Sequence, residues 1–172
     1  MNRKNIQLWA VRLVLIALIV LWMSTIFGFS AETGVESQSL SDKITIRVVN
    51  IIKPDYKNLS AAEQNEFFGS VSFVVRKTGH FGEYAILGVL IMTLLVTFQK
   101  VIRVGKGALA TVITTLVGML YAAGDEFHQG FVDGRSPKLF DVGIDTAGVF
   151  TGTVFILIIY LLVRRRHERL ER

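Results

Sequence analysis

Four stretches of mostly apolar residues, separated by polar segments, dominate this chain of 172 residues. They cover residues 8–29, 77–98, 107–124 and 142–163. Each approaches or exceeds the roughly 20 apolar residues that an α-helix needs to cross a bilayer. Because backbone groups in lipid must satisfy their own hydrogen bonds, each stretch is predicted to be helical. The pattern therefore predicts an all-α membrane protein, with a single domain (residues 1–172) folded as a bundle of four transmembrane helices.

The first apolar stretch follows a short basic segment that contains Arg3 and Lys4. It is longer than the apolar core of a cleaved signal peptide and has no small-residue cleavage site, so we interpret it as a retained membrane anchor. Arg12 lies near its start, where a long basic side chain is expected to reach back to the membrane interface.

Residues 30–76, between the first two predicted spans, are too apolar in places for a plain loop. Apolar residues recur at helical spacing over residues 39–53, and Ser41 or Asp42 would cap such a helix. Alternating apolar residues in the same segment also fit a β-strand: Ile44, Ile46 and Val48. Both interpretations stay open at this point.

Pro54 and Asp55 mark a break after this segment. Ser60 and Glu63 then have the spacing of a capping box, in which a hydroxyl and a carboxylate each accept a hydrogen bond from a backbone N–H. An apolar stripe follows. The segment is therefore predicted to contain one or two amphipathic helices that lie at the outer membrane interface.

The chain has a net charge of +5 and no cysteine, which excludes disulfides and cysteine-based nucleophiles or metal sites. Basic residues cluster in 1–7, 99–106 and 164–172, which lie on one side of the membrane if the chain crosses it four times. By the positive-inside rule that side is cytoplasmic, so both termini are predicted to be cytoplasmic. The basic tail is expected to contact anionic lipid headgroups, and no nucleic-acid partner is expected.

Ionisable and polar residues recur at one end of three predicted helices. They are Lys77, His80, Glu83 and Tyr84 in the second helix, Tyr121, Asp125, Glu126, His128 and Gln129 in the third, Asp141 and Asp145 in the fourth, and Arg135 in the turn before it. Alternate helices run in opposite directions, so these ends converge on one membrane face, predicted to be the outer one. Ionisable groups at membrane depth usually face a bundle interior, which makes this convergence a candidate functional site.

Three kinds of site fit these residue types. In the first, His80 or His128 is a general base oriented by a carboxylate, for acid–base or nucleophilic chemistry. In the second, histidines and carboxylates bind a divalent metal ion, although no zinc motif such as HExxH is present. In the third, the same residues form a non-catalytic network of salt bridges that holds the bundle together.

The position of the basic residues favours an anionic ligand. Arg76 and Lys77 lie at the predicted outer N-terminus of the second helix, against both the positive-inside tendency and the helix dipole. The N-termini of the second and fourth helices are predicted to offer free N–H groups at the same face. Lys77 and Arg135 are therefore the candidate residues for binding a phosphate or carboxylate headgroup.

The same residues carry a resemblance to the VanZ-like family of small membrane proteins. The matching motifs are Arg76-Lys77-x-x-His80-Phe81-x-Glu83-Tyr84, Tyr121-Ala122-x-x-Asp125-Glu126-x-His128-Gln129, Gly134-Arg135, and Asp141-Val142-x-Ile144-Asp145-x-x-Gly148-x-x-x-Gly152. The resemblance covers nearly the whole chain. Two positions depart from it, because Asp133 stands where many relatives have proline and Asp145 stands where some have asparagine.

The resemblance implies a multi-pass protein of the bacterial cell membrane with a role in the cell envelope, at the outer leaflet. The family takes its name from a protein associated with resistance to the glycopeptide teicoplanin. The expected ligands are therefore membrane lipids, lipid-linked wall precursors or glycopeptides. The rival function is a non-catalytic binding protein or partner subunit; the sequence predicts no oligomeric state.

An enzyme with this site would be a hydrolase or a group-transferase that acts on a lipid headgroup. His80 and His128 would be its acid–base groups, and no cofactor other than a divalent metal ion is indicated. Carboxylates would orient the histidines or hold a metal: Glu83, Asp125, Glu126, Asp141 and Asp145. Tyr84, Tyr121 and Gln129 would support them.

Overall fold

The computed structural model describes residues 2–98 and 107–170, and all regular secondary structure in those ranges is helical. The helices are α1 (Arg3–Ser30), α2 (Gly34–Ile52), a short 3₁₀-helix (Tyr56–Asn58), α3 (Ala61–Val96), α4 (Gly107–Gln129) and α5 (Leu139–Leu170). The predicted all-α class is confirmed. The predicted basic segment 99–106 and the last two residues of the tail 164–172 lie outside the described ranges.

Four of these helices are long and apolar enough to cross a membrane: α1, α3, α4 and α5. They correspond to the four predicted spans, and each is longer than the apolar stretch that predicted it. The extra turns at the C-terminus of α4 and at the N-terminus of α5 contain four of the ionisable residues that the sequence singled out: Asp125, Glu126, His128 and Asp141. The side of the membrane on which the termini lie stays a prediction.

Of the one or two amphipathic helices predicted in the outer segment, the second is not a separate helix but the first part of α3. Ser60 and Glu63 do form a capping box, but the helix that it starts continues without a break to Val96. No proline or turn interrupts this stretch of 36 residues, which is about 54 Å long at 1.5 Å per residue. Arg76 and Lys77 consequently lie in the middle of α3. The free N–H groups predicted at this position do not exist, because the N-terminus of α3 is more than four turns away.

The other amphipathic segment is the helix α2, so the strand interpretation of this segment is wrong. The predicted caps Ser41 and Asp42 are wrong too, because α2 begins at Gly34 and is capped by Thr33. The Thr33 backbone N–H and hydroxyl donate to the Glu36 carboxylate at 2.9 and 2.8 Å, and the Glu36 N–H donates to the Thr33 hydroxyl at 3.3 Å. These hydrogen bonds from Thr33 hold the pKa of the Glu36 carboxyl below its usual value of 4.5.

The central helix α3 packs most extensively against α5, through glycines that allow a close approach of the two backbones. A Cβ atom added at Gly152 would collide with the carbonyl oxygen of Ala85, and one added at Gly88 would collide with that of Val149. The small-residue face at Gly148 and Gly152, predicted to permit close helix contact, is thereby confirmed. This tight interface fixes the rotation of α3 relative to α5 and so the relative positions of their polar residues.

Arg12 is buried against the C-terminal end of α3, and its position relative to the membrane interface stays a prediction. Its guanidinium donates to the hydroxyl and the carbonyl oxygen of Thr97 at 3.0 and 2.8 Å and lies 3.8 Å from the centre of the Phe98 ring. Thr97 is the C-terminal cap of α3, where carbonyl groups lack helical partners and a positive charge is favourable. Arg12 therefore fastens α1 to the C-terminal end of α3.

Candidate functional site

The predicted site residues converge at one end of the bundle. This end is built from the C-terminus of α1, the middle of α3, the C-terminus of α4, the N-terminus of α5 and the loop 130–138. Several of its polar side chains are buried: Ser30, Asp125, Glu126, Gln129, Asp141 and Asp145. Buried polar groups at this density need specific partners, so the contacts of each decide what it can do.

Lys77 forms an ion pair with Asp141, which joins α3 to α5. The two side chains are only 13% and 11% exposed. Removing one partner of such a pair leaves an uncompensated buried charge, so the pair holds the two helices together. The charge of Lys77, predicted to bind an anion, is thus already balanced within the protein.

His80 and Asp145 form a second pair between the same two helices. The Nδ1 atom of His80 lies 3.5 Å from Oδ1 of Asp145, a side chain that is fully buried. Neither atom has a hydrogen-bond partner within the described ranges. Because Nδ1 faces the carboxylate, Nε2 is the ring nitrogen available to a ligand. Catalytic hydrogen bonds are often long in the absence of substrate, so this geometry suits a histidine oriented by an aspartate.

Arg135 connects the loop after α4 to the end of α1. Its guanidinium donates to the carbonyl oxygens of Phe29 and Glu32 at 2.8 and 3.1 Å and to Oε1 of Gln129 at 3.3 Å. The carbonyl of Phe29 belongs to the last turn of α1, where its oxygen also accepts a hydrogen bond from the Glu32 N–H at 3.3 Å. Arg135 therefore has a structural task in addition to the anion-binding role predicted for it.

The loop with Arg135 also makes a close backbone contact with the start of α2. The N–H of Gly34 donates to the carbonyl oxygen of Asp133 at 2.9 Å, and a Cβ atom on Gly34 would collide with the carbonyl of Gly134. Gly134 has a φ of 73°, a conformation that favours glycine. This contact fixes the N-terminus of α2 over the polar end of the bundle.

Two other predicted residues are used for packing around the site. The carboxylate of Glu126 accepts a hydrogen bond from the Lys138 N–H at 2.7 Å, just before α5 begins. The ring of His128 stacks on Phe27, with 4.3 Å between ring centres. Neither residue lines the two cavities that lie between α2 and this end of the bundle, so His80 is the better placed of the two candidate bases.

The two tyrosines also lie outside the cavities. The Tyr121 hydroxyl donates to the carbonyl oxygen of Met23 at 2.6 Å, and Tyr84 is fully buried 6.0 Å from the Tyr121 ring. Gln129 does line both cavities, and its amide donates to Oδ2 of Asp125 at 3.3 Å.

Two adjoining cavities lie between α2 and the polar end of the bundle. The small cavity, of about 140 Å³, is bounded by α1, α2, α3 and α4. The large cavity, of about 840 Å³, is bounded by α2, α3, the loop 134–138 and the start of α5. Five residues line both of them: Ser37, Arg76, His80, Gln129 and Arg135. Glu83 and Asp125 line the small cavity, and Lys77 and Asp141 line the large one.

Arg76 is a site residue that the sequence-based assignment of roles missed. Its Nη1 donates to Oε1 of Gln38 on α2 at 3.2 Å, while its Nε is buried without a hydrogen-bond partner in the described ranges. It forms no ion pair with any carboxylate described by the structure. Its proximity to Lys77 was the available signal, but sequence could not tell which of the two cations would meet Asp141.

The polar face of α2 was missed as well. Its polar residues face α3 and line the cavities: Ser37, Gln38, Ser41 and Asp42. Among the apolar residues that predicted the helix, Leu40 and Ile44 are partly exposed and line the small cavity, whereas Ile51 is exposed. The helical spacing of the polar residues is the signal that could have found this face.

The described residues contain no group of three or more histidine and carboxylate side chains arranged to hold a metal ion. Asp145 contacts His80, Asp125 contacts Gln129, and Asp141 contacts Lys77. These carboxylates therefore act as hydrogen-bond and ion-pair partners.

Comparison with known proteins bears on this arrangement directly. No curated protein and no solved structure matches the chain. A model of the VanZ/LLP1 family matches residues 15–162. The matched region contains both cavities and every candidate site residue, in agreement with the resemblance seen in the motifs. The chain therefore belongs to the VanZ/LLP1 family.

Proposed function

We propose that this protein binds an anionic lipid or lipid-linked wall precursor at the outer leaflet of the bacterial cell membrane. The observation that carries the proposal is the position of Arg76, a cation without an ion-pair partner in the described ranges that lines both cavities. Lys77 is balanced by Asp141, and Arg135 is held by carbonyl groups, so Arg76 is the cation most available to an anion.

An arginine in this setting favours a phosphate ligand. The guanidinium is planar, stays charged at all relevant pH values and can donate two parallel hydrogen bonds to a phosphate. Only one of its side-chain hydrogen bonds is made, to Gln38, and Nε has none among the described residues. A headgroup phosphate would supply both the missing acceptor and the missing counter-charge.

The lining of the small cavity favours an amphiphile over a free ion. Its polar side chains include Arg76, Glu83 and Asp125, and its apolar side chains come from α1, α2 and α3: Ile26, Phe29, Leu40, Ile44 and Val75. Sites with such a mixed lining hold a polar group in a fixed orientation against apolar surface. The exposed apolar face of α2 next to the cavity would let an acyl or prenyl chain continue into the bilayer.

The topology that puts this site at the outer leaflet is also part of the proposal. It rests on the basic residues of the sequence, which favour cytoplasmic termini and place the polar end of the bundle on the far side. An effect on susceptibility to glycopeptides of the teicoplanin type would follow if the bound lipid carries a wall precursor.

The test is lipid binding by the full-length protein in phosphatidylcholine nanodiscs that contain a minor fraction of phosphatidylglycerol, read out by native mass spectrometry. Arg76→Gln should weaken binding at least about tenfold, because a charge-assisted hydrogen bond is lost. Arg47→Gln is the matched control, since Arg47 is an exposed arginine of α2 that lines neither cavity. Equal binding by Arg76→Gln and the wild type would refute the proposal.

Inorganic phosphate distinguishes a lipid from a free anion as the ligand. If the apolar wall contributes, phosphate should compete poorly with phosphatidylglycerol. Displacement of the lipid by an equal concentration of phosphate would instead assign the site to a small anion.

The Lys77–Asp141 pair and the contacts of Arg135 favour a second function. In this function, the protein is a structural or partner subunit whose polar residues only hold the bundle together. In that case, Arg76→Gln would lower the melting temperature without any change in lipid binding. The two functions therefore predict opposite results for the same variant.

A further inference from the structure

His80 occupies the boundary between the two cavities and lines both. Behind it, on the side away from the cavities, lies the fully buried carboxylate of Asp145, with 3.5 Å between Nδ1 and Oδ1. In the described ranges, both carboxylate oxygens of Asp145 lack hydrogen-bond partners, and only the ring of His80 lies within ion-pair distance of them. A carboxylate in this position fixes the orientation of the imidazole and stabilises its protonated form during a reaction.

We propose that His80 is a general base positioned by Asp145, and that the protein is an enzyme that acts on phosphate esters of lipids. This inference rests on the proposed lipid binding and adds a reaction to it. His80 is the catalytic residue because it lines both cavities, where the ligand would bind. Asp145 is a positioning residue that acts through the imidazole ring of His80. The reaction class is hydrolysis or transfer of a headgroup at phosphorus.

The two cavities provide the two reactants with separate places. The small cavity has the apolar wall that suits the lipid side of a phosphate ester. The large cavity, of about 840 Å³ and lined mostly by polar residues of α2, α3 and the loop 134–138, is large enough for a sugar-sized polar group or an acceptor alcohol. Arg76 and His80 line both cavities, so a phosphate bound to Arg76 would lie at the boundary, beside the imidazole.

The chemical step balances with an acceptor hydroxyl, which is water for hydrolysis or an alcohol for transfer. Nε2 of His80 takes the proton of that hydroxyl while its oxygen forms a bond to phosphorus. The bond between phosphorus and the leaving oxygen breaks, and its electron pair stays on that oxygen. The proton on His80 is then returned to the leaving oxygen. Arg76 stabilises the negative charge on the non-bridging oxygens throughout.

Five carboxylates influence the imidazole, and they come from three helices. Glu83 lies one turn further along α3, Asp125 and Glu126 project from α4, and Asp141 and Asp145 project from α5. Only Asp145 is within ion-pair distance of the ring in the described ranges. The assignment of Asp145 as the positioning residue follows from this contact.

The experiment uses the full-length protein in phosphatidylcholine vesicles that carry one of two probes: phosphatidylglycerol or a prenyl phosphodiester that bears a sugar. Turnover is followed by phosphorus NMR, and binding of each probe by native mass spectrometry. His80→Ala should reduce turnover about 100-fold or more, the usual contribution of a general base. Added imidazole should restore part of the lost rate, because the large cavity admits a free base of that size.

Asp145→Asn tests the positioning role through its effect on separate kinetic constants. It should lower kcat about tenfold or more with little change in KM, since Asp145 does not line either cavity. His128→Ala is the control for loss of a histidine at this end of the bundle, because His128 stacks on Phe27 away from the cavities. Its turnover per folded molecule should stay within about threefold of the wild type.

The possible outcomes separate this inference from the proposed function. Binding of a probe without turnover of either one would overturn the catalytic role and leave lipid binding standing. Turnover that persists in His80→Ala, or that imidazole fails to restore after its loss, would also overturn it. Failure of both probes to bind would refute lipid binding and the reaction together.

Discussion

The two sides of α3 are built in contrasting ways. On the side that faces α5, the backbones meet directly at Gly88, Gly148 and Gly152, where no additional atom fits. On the side that faces α2, polar side chains from both helices meet around two cavities. The α3–α5 interface has no room for further atoms at these glycines, whereas the α2–α3 interface encloses two cavities.

This difference separates the tasks of the two interfaces. The tight α3–α5 interface fixes the Lys77–Asp141 and His80–Asp145 pairs, because each has one member on either helix. The open α2–α3 interface contains the polar face of α2 and Arg76, whose Nε is buried without a hydrogen-bond partner in the described ranges. We expect substitutions in the first interface to affect folding and those in the second to affect ligand binding.

The largest effect is expected at the glycine contact between α3 and α5. Gly152→Leu should destabilise the fold by roughly 3–5 kcal/mol, because the new side chain has to displace the backbone of α3 at Ala85. Thermal unfolding in detergent measures this effect. Gly143→Leu on the same helix is the matched control, since a Cβ atom there meets nothing within 4 Å. Similar melting temperatures for the two variants would show that the close contact does not support the fold.

A smaller effect is expected from the ion pair at the same interface. Lys77→Met should cost about 3 kcal/mol of stability, because it leaves Asp141 buried without its counter-charge. The double variant Lys77→Met/Asp141→Leu should recover most of that loss. Arg76→Met, one residue away but on the side of α2, should cost less than about 1 kcal/mol, since only the hydrogen bond to Gln38 is lost. Equal losses for Lys77→Met and Arg76→Met would remove the distinction between the two sides of α3.

The smallest expected effect concerns the start of α2 and depends on pH. The pKa of Glu36 is lowered by its hydrogen bonds to Thr33, so its contribution to helix stability is fully present above pH 4.5. That contribution should disappear as the pH falls through the lowered pKa. Hydrogen exchange at residues 34–38, corrected for the intrinsic effect of pH, should show more opening of α2 in this range. In the Glu36→Gln variant, the opening of α2 should be the same above pH 4.5 and below the lowered pKa. If this variant keeps the pH response of the wild type, Glu36 is excluded as its cause.

The sequence predicted the four long helices and the convergence of the polar residues because both follow from simple physical constraints. An apolar stretch long enough to span lipid has few alternatives to a helix. Antiparallel order then brings the ends that contain His80, Asp125 and Asp145 to the same face. The glycine contact at Gly148 and Gly152 was also predictable, since small residues four positions apart share a helix face.

Other features depend on information that a local pattern does not contain. The sequence pattern underestimates the length of α3, because the change from polar to apolar residues near position 77 resembles a helix boundary although nothing there breaks a helix. The capping box of Thr33 and Glu36 has the same spacing as that of Ser60 and Glu63, and it was overlooked next to Gly34. The partner of each cation depends on the rotation of α3 against α5, which only the packed structure defines.

The uninterrupted length of α3 has a mechanical consequence. At about 54 Å, it exceeds the roughly 30 Å hydrocarbon thickness of a bilayer by about 24 Å. Arg76 and His80 belong to the same uninterrupted helix as the turns that begin at Ala61. A tilt of α3 imposed at Ala61 would therefore rotate the whole helix about its glycine contact with α5. Anything that pulls on the start of α3 would change the width of both cavities.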